Sequence, residues 1–257
     1  MTTRLERLRA VLPLLLAATL IPPLLPAWGA GAAPDDEAIL RAADQARGNV
    51  DGLAWQVTIE STEGDRVTDA LIYDIKVRSF NVAGVSLAPA KYRGNKILML
   101  NTSMWFYKPG LSKAIPISQR QKLMGEAAYG DIASTNYAEN YAATRLPDEV
   151  VEGEPCYVFD LKAKEDKLTY DRITYWVSKQ NQTGIRADYY TVSGKKFKSA
   201  TMDYANSVKV AGAVRPFLSR ITMRNELMNG SVTQLNLRSP RLEPVPDYVF
   251  DLNLFMR

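Results

Sequence analysis

The sequence predicts a mainly β domain of the α+β class, an antiparallel sheet with helices gathered on one side. Three observations carry this. About eleven short segments alternate apolar and polar residues with period two and are joined by brief turns. Helical spacing occurs in two places, near the amino terminus and after Ser118. No strand–helix–strand alternation and no internal repeat is present, which argues against a parallel sheet.

The elements follow in order. Arg4, Arg7 and Arg9 precede an apolar run over residues 11–25 and the small residues Gly29 to Ala33. This is a secretory signal pattern, with Ala30-Gly31-Ala32 as cleavage box. Pro13, Pro22, Pro23 and Pro26 interrupt the run, whereas a spanning helix prefers about 20 continuous apolar residues. The expectation is a cleaved signal peptide over 1–32 and an exported, periplasmic domain over 33–257. No cysteine lies near the cleavage box, so no lipid anchor is expected there. A helix is predicted over 37–47, with Asp35 or Asp36 as cap and Ile39, Leu40, Ala43 and Ala46 on its apolar side.

Strands are predicted over 53–60, 67–73 and 75–85. Residues 97–100 and 104–108 form a hairpin turned by Asn101-Thr102-Ser103. A short strand is expected over 113–117. Ser118 is a suitable cap for a short helix carrying Leu123 and Met124. Gly125 and Gly130 break the chain around Tyr129, and Asp131 can cap a second short helix containing Ile132. Tyr137 and Tyr141 are one helical turn apart and would share a face. Further strands are predicted over 156–163, 170–178, 185–192 and 196–204. Residues 208–212 read as a short strand or turn. The last long hairpin, 216–227 with 231–238, turns at Asn229-Gly230, a type I′ signal. The tail from Leu242 reads as a closing strand or short helix.

Composition excludes several classes. The 257 residues carry 32 Lys+Arg and 28 Asp+Glu, a net charge of +4. Three arginines and one glutamate lie in 1–32, leaving +2 for the rest. That is too little for a nucleic-acid binder. There is no histidine, which removes the commonest general base and transition-metal ligand, and with it histidine-based triads and zinc motifs. Cys156 is the single cysteine and reads as a small buried hydrophobe. No glycine-rich phosphate loop and no paired-carboxylate motif stands out. No catalytic residue, metal or cofactor is expected.

Several stretches resemble a known family. They are Trp105–Pro109 (W-F-Y-K-P), Ile115–Gln121 (I-P-I-S-x-x-Q) and Met124-Gly125. The opening helix followed by N-V-D-G-L, the K-Y-R-G of 91–94, and the run from Val151 through T-Y-W-V and S-G-K add to these. Together they resemble the outer membrane lipoprotein-sorting family, the relatives of LolA and LolB. The resemblance covers nearly all of the chain after residue 33.

The resemblance implies an unclosed antiparallel half-barrel whose concave face is covered by helices. It implies a periplasmic carrier that shields the acyl chains of lipoproteins or other lipids during transfer toward the outer membrane. Candidate cup residues are Trp55, Val57, Ile59, Trp105, Tyr175 and Trp176, with strand facing undecided for the aromatic doublets. Candidate lid residues are Leu123, Met124, Tyr129, Ile132, Tyr137 and Tyr141, with Gly125 and Gly130 as hinges. Each also suits plain core packing. Implied partners are acyl chains or lipid and an inner-membrane transporter of ABC or RND type, with the carrier a monomer. The alternative is a sensory, regulatory or transporter-accessory module that binds a protein partner.

Overall fold

The computed structural model describes residues 35–133 and 136–256. The expected signal peptide, 1–32, lies outside these described residues. Helix α1 (Asp36–Ala46) is capped by Asp35, whose carboxylate accepts from the Glu37 N–H at 3.2 Å. Asp36 and Glu37 add negative charge at the positive end of the helix dipole. Ile39, Leu40 and Ala43 form the buried side, as their spacing predicts.

Strands β1 (Leu53–Glu63), β2 (Arg66–Val67), β3 (Leu71–Arg78) and β4 (Asn81–Ala88) follow. The expected break at Asp74 is absent. The turn falls at Ser79-Phe80, both at positive φ, 46° and 67°. Such turns usually take Asn or Gly, so the pattern hid this one. β5 (Lys96–Leu100) and β6 (Ser103–Tyr107) form the predicted hairpin, and β7 (Ile115–Ile117) pairs with β6.

After Ser118 the structure departs from expectation. The helix foreseen around Leu123 and Met124 is a small hairpin, β8 (Lys122–Met124) with β9 (Ala127–Ala128). An isolated apolar doublet supplies too little buried surface to hold a helix of a few residues. Helices α2 (Tyr129–Ile132) and α3 (Tyr137–Asn140) are single turns. Asp131 sits inside α2, where its carboxylate accepts from the Ala128 N–H at 2.8 Å. Tyr141 opens β10 (Tyr141–Val151) and so leaves the helix, but its ring still meets Tyr137 edge-on at 5.3 Å.

The remaining strands are β11 (Glu154–Ala163), β12 (Arg172–Ser178), β13 (Gly184–Tyr190), β14 (Lys196–Asp203), β15 (Asn206–Val210), β16 (Ala213–Phe217), β17 (Arg220–Asn225) and β18 (Ser231–Leu242). At Asn229-Gly230 only the glycine has positive φ, 87°. A type I′ turn needs both, so the connection is the longer loop 226–230. The tail forms a 3₁₀ turn, Asp247–Phe250.

Eleven strands were too few. One fourteen-stranded antiparallel sheet runs β10-β11-β12-β13-β14-β17-β18-β1-β3-β4-β5-β6-β7, with β2 beside β1; β15–β16 and β8–β9 are separate pairs. The sheet does not close: β10 and β7 are its edges. Each edge strand holds a proline, Pro147 and Pro116, and the β10 register shifts between Leu146 and Glu149.

One face of the sheet bounds a single apolar core. Trp55, Tyr73, Ile97, Met104, Phe159, Tyr175, Ala200 and Leu235 belong to it, together with Ile39 and Leu40 of α1. Residues from β6 at one side and β11 at the other share this cluster, so the sheet wraps around it. The β15–β16 hairpin closes one side through Phe217, whose ring lies 5.6 Å from Trp55. The other face carries two smaller clusters. Val245, Phe250 and Phe255 of the tail cover Ala83 and Leu98, and Cys156, Val158 and Trp176 form the second.

Phe217→Ala should lower stability by about 3–5 kcal/mol in urea unfolding, the cost of an aromatic-sized cavity. The same measurement on Val214→Ala, at a position 72% exposed, should show almost no change.

Candidate functional site

Ten of the twelve candidate cup and lid residues meet in the inner core. Trp55, Val57 and Ile59 share the inner face of β1, and Tyr175 faces them from β12. Ile132, Tyr137 and Tyr141 are buried against them, and Leu123, Met124 and Tyr129 pack at the margin. Tyr137 is the centre of an aromatic group, edge-on to Tyr175 at 5.0 Å and to Tyr141 at 5.3 Å. The Arg47 guanidinium lies 4.5 Å above its ring.

Trp105 and Trp176 are not cup residues. Strand alternation fixes this. Met104 and Phe106 face the inner core, so Trp105 points outward beside Leu98, its cross-strand partner. Tyr175 and Val177 face inward, so Trp176 faces out; its indole donates to Glu149 at 2.8 Å and Arg186 stacks on it at 4.6 Å. Adjacent aromatics cannot share a face, and the sequence alone does not say which of a doublet turns in.

The two expected hinge glycines sit at close approaches. Gly125 has φ +53°, and a Cβ there would overlap the hydroxyls of Ser61 and Thr233. Ser61 and Thr233 are themselves hydrogen-bonded at 3.1 Å, and the Glu126 N–H donates to Thr233 Oγ1 at 2.8 Å. A Cβ at Gly130 would overlap the Thr169 hydroxyl. The 118–133 segment is thus pressed onto β1, β18 and the 168–171 loop.

Polar side chains hold it there. Lys198, on the inner face of β14, is 2% exposed. Its ammonium lies 3.3 Å from Asp131 Oδ2 and donates to the Glu126 carbonyl at 2.7 Å. The Tyr170 hydroxyl donates to both Asp131 oxygens, at 2.7 and 2.9 Å. Tyr170 stacks on Tyr189 at 4.0 Å, and the Lys198 ammonium sits over both rings. Arg120 grips Asp171 with two nitrogens, at 2.8 and 3.0 Å. At the far end, buried Asp44 of α1 accepts from the Ala138 N–H at 2.8 Å, and Asn49 donates to Asn136 at 3.2 Å.

Burial raises the Asp44 carboxyl to about 7, partly offset by the Ala138 N–H and the nearby Arg47. Burial likewise pushes the phenols of Tyr137, Tyr170, Tyr175 and Tyr189 above their ordinary range. They are neutral and serve as packing and hydrogen-bonding groups.

The cup is filled. Between Trp55, Val57, Ile132, Leu218, Ile221 and Leu235 a cavity of about 10 Å³ remains, roughly room for one water. The larger space lies at the mouth, a groove of about 680 Å³ bordered by Arg120, Glu126, Tyr170, Tyr190, Phe197 and Lys198. That volume is within the range of small-molecule sites. The groove ends against the Lys198–Asp131 pair. Sequence reading missed this pair, although Lys198, Ala200 and Met202 alternate on one face and so place a lysine inward. No group of acidic, cysteine or histidine side chains suited to a metal occurs among the described residues.

A LolA superfamily protein from Nitrosomonas europaea is 31% identical, covers 86% of this chain and 99% of its own, and superposes with a TM-score of 0.77. The chain belongs to the LolA superfamily. A family model described as an uncharacterized protein also matches residues 83–257. The fold is shared with an outer membrane lipoprotein-sorting protein domain from Vibrio parahaemolyticus, at 19% identity and TM-score 0.73, covering 86% of this chain and 98% of that one. A DUF1329 family protein from Desulfovibrio piger has the fold too, at 20% identity and TM-score 0.70, covering 84% of this chain and 96% of that one. No curated protein matches the chain. No helix of this LolA superfamily member is long and apolar enough, among the described residues, to cross a membrane.

Two outcomes test the site. Lys198→Met leaves Asp131 buried without its cation and should cost about 3–5 kcal/mol in urea unfolding. Adding Asp131→Asn should restore most of that loss; strict additivity of the two would show that the groups are not coupled. For Asp44, the raised pKa means the native state holds one proton more than the unfolded chain between about pH 4 and pH 7. Its contribution therefore falls as pH rises through that window and is constant above it. The stability difference between wild type and Asp44→Asn should change across that window only.

Proposed function

We propose that this protein is a periplasmic binding or carrier protein for acyl chains of lipoproteins or other lipids. In this reading residues 1–32 are a cleaved signal peptide and 33–257 the lipid-binding domain. The observation that carries it is a continuous apolar inner face closed by a segment held through side-chain hydrogen bonds and one buried ion pair. The described residues 118–133 and 136–140 are the lid, turning at Gly125 and Gly130. Trp55, Val57, Ile59, Tyr175 and, at the start of β10, Tyr141 line the cup, and Leu123, Met124, Tyr129, Ile132 and Tyr137 form the lid's underside.

Magnitudes favour opening by cargo. Opening the segment hydrates both members of the ion pair together, so little net stability is lost there. Burying a chain of about sixteen carbons returns on the order of 12 kcal/mol, at about 0.8 kcal/mol per methylene. Cargo that takes the place of the segment's own apolar side chains against the sheet can therefore offset its displacement, whereas the empty cup closes on itself. A transporter of ABC or RND type is the proposed donor, and the carrier acts as a monomer. The reading is of a binding protein and not an enzyme. The second reading, a sensory or transporter-accessory module, is favoured by the filled core and predicts a stable protein complex without bound lipid.

A fluorescent fatty acid titration tests the lid. Asn49→Cys with Asn136→Cys should, when oxidised, lower the affinity for dansyl-undecanoate at least about tenfold, with recovery on reduction. Equal affinity in both redox states would reject the lid. Ile132→Asp should weaken the same binding while far-ultraviolet circular dichroism is retained.

A further inference from the structure

Three loops lie side by side at one end of the sheet. β14, β17, β18 and β1 are consecutive antiparallel neighbours. The β13–β14 loop (191–195), the β17–β18 loop (226–230) and the β1–β2 turn (64–65) therefore emerge at the same rim. The Gly64 N–H donates to the Gly230 carbonyl at 3.2 Å, which joins two of them.

Their tips are apolar. Val192 is 86% exposed, Met228 65% and Leu227 52%. Single exposed hydrophobes are ordinary, but aliphatic side chains at the tips of neighbouring loops form a row. Beside them Arg66, Lys195 and Arg224 are exposed and have no ion-pair partner among the described residues. The rim's acids are Glu63 and Asp65, both exposed, Glu226, which is held by Lys196 and Ser199, and Glu126, which accepts from Asn225 and Ser231. At the opposite rim Glu149, Glu152 and Glu154 lie around the β10–β11 turn, with Val150 and Arg186 beside them. The 680 Å³ groove opens at the apolar, basic rim.

We propose that this rim docks on an anionic lipid bilayer. Leu227, Met228 and Val192 insert between head groups, and Arg66, Lys195 and Arg224 hold lipid phosphates. Protruding aliphatic tips flanked by free cations suit the bilayer interface, where apolar insertion and attraction to anionic lipid add. Stable protein partners instead bury flat patches of about 800 Å² per side, enriched in aromatic residues. The groove mouth would then face the membrane, so that an acyl chain passes between bilayer and cup without crossing water.

Vesicle co-sedimentation of the full chain after export tests this. Vesicles of phosphatidylglycerol and phosphatidylcholine should pellet the protein at low salt, and pure phosphatidylcholine vesicles far less. Met228→Glu and Leu227→Glu should each weaken pelleting, and Arg224→Gln should weaken it about fivefold, the effect of one basic residue near an anionic surface. Val150→Glu, at a position 69% exposed on the opposite rim, should pellet as wild type. No pelleting with anionic vesicles, or equal loss for Val150→Glu and Met228→Glu, would overturn the proposal. Solution binding of dansyl-undecanoate separates this from the carrier reading. Probe binding without vesicle binding defeats only the docking surface, and vesicle binding without probe binding defeats only the carrier.

Discussion

The packing of the 118–133 segment on the sheet depends on one buried ion pair. Lys198 and Asp131 are almost fully shielded from water, where an isolated charge would be prohibitively costly. Each is therefore surrounded by partners. Asp131 accepts from Tyr170, the Ala128 N–H and Lys198, while Lys198 also reaches the Glu126 carbonyl and faces two aromatic rings. Such a cluster is stable only when all its members are in place. It fixes the position of 126–131 over the sheet more sharply than apolar contacts alone, which tolerate sliding. Its worth is a defined position more than net stability, since a hydrophobic substitute of the same shape could hold as tightly.

Around that pair the structure is a compromise between a core and a container. The inner residues have the packing of any β-domain interior, and the space left among them is about 10 Å³. Yet the covering elements are poor ones by ordinary standards. α2 and α3 are single turns, and β8–β9 is a hairpin of five paired residues at most. Such elements have little stability of their own and hold their form by contact with the sheet. Elements of this kind come from the low end of the local stability range. The sheet beneath them is held by long ladders, β1 with β18 and β10 with β11 among them. The wall is thus supported by its own ladders and the cover by the wall.

Most of the wall was legible in the sequence because period-two alternation is a direct imprint of a half-buried strand. The segments around Val57, Phe159, Ile173 and Met202 could be placed on this basis, and α1 followed from its cap and apolar spacing. β10 was not foreseen: seven of its eleven residues are exposed, and Pro147 interrupts it. The Ser79-Phe80 turn lacked turn residues. The 118–141 cover was misjudged because its form comes from tertiary contacts, with Gly125 wedged between Ser61 and Thr233. Facing was harder than pairing. The resemblance offered Trp105 and Trp176 as cup residues with their facing open, and parity against Phe106 and Tyr175 turns them outward. The candidate site's polar half, Asp131 with Lys198 and Tyr170, is spread over 68 positions of sequence and has no local signature.

An unclosed sheet has two free edges, and a free edge invites another chain to extend the ladder. Here both edges carry a proline, which lacks the N–H that a new neighbour would need. Pro116 lies in the middle of the three-residue β7, and Pro147 sits where the β10 register breaks. Asp148 and Glu149 add charge at that break, engaged by Lys179 and by the Trp176 indole. A barrel avoids edge-to-edge polymerisation by closing, but a closed barrel cannot spread its wall. Blunting both edges with proline lets the sheet remain open, and free to flex, at the concentrations of a crowded compartment without templating fibres.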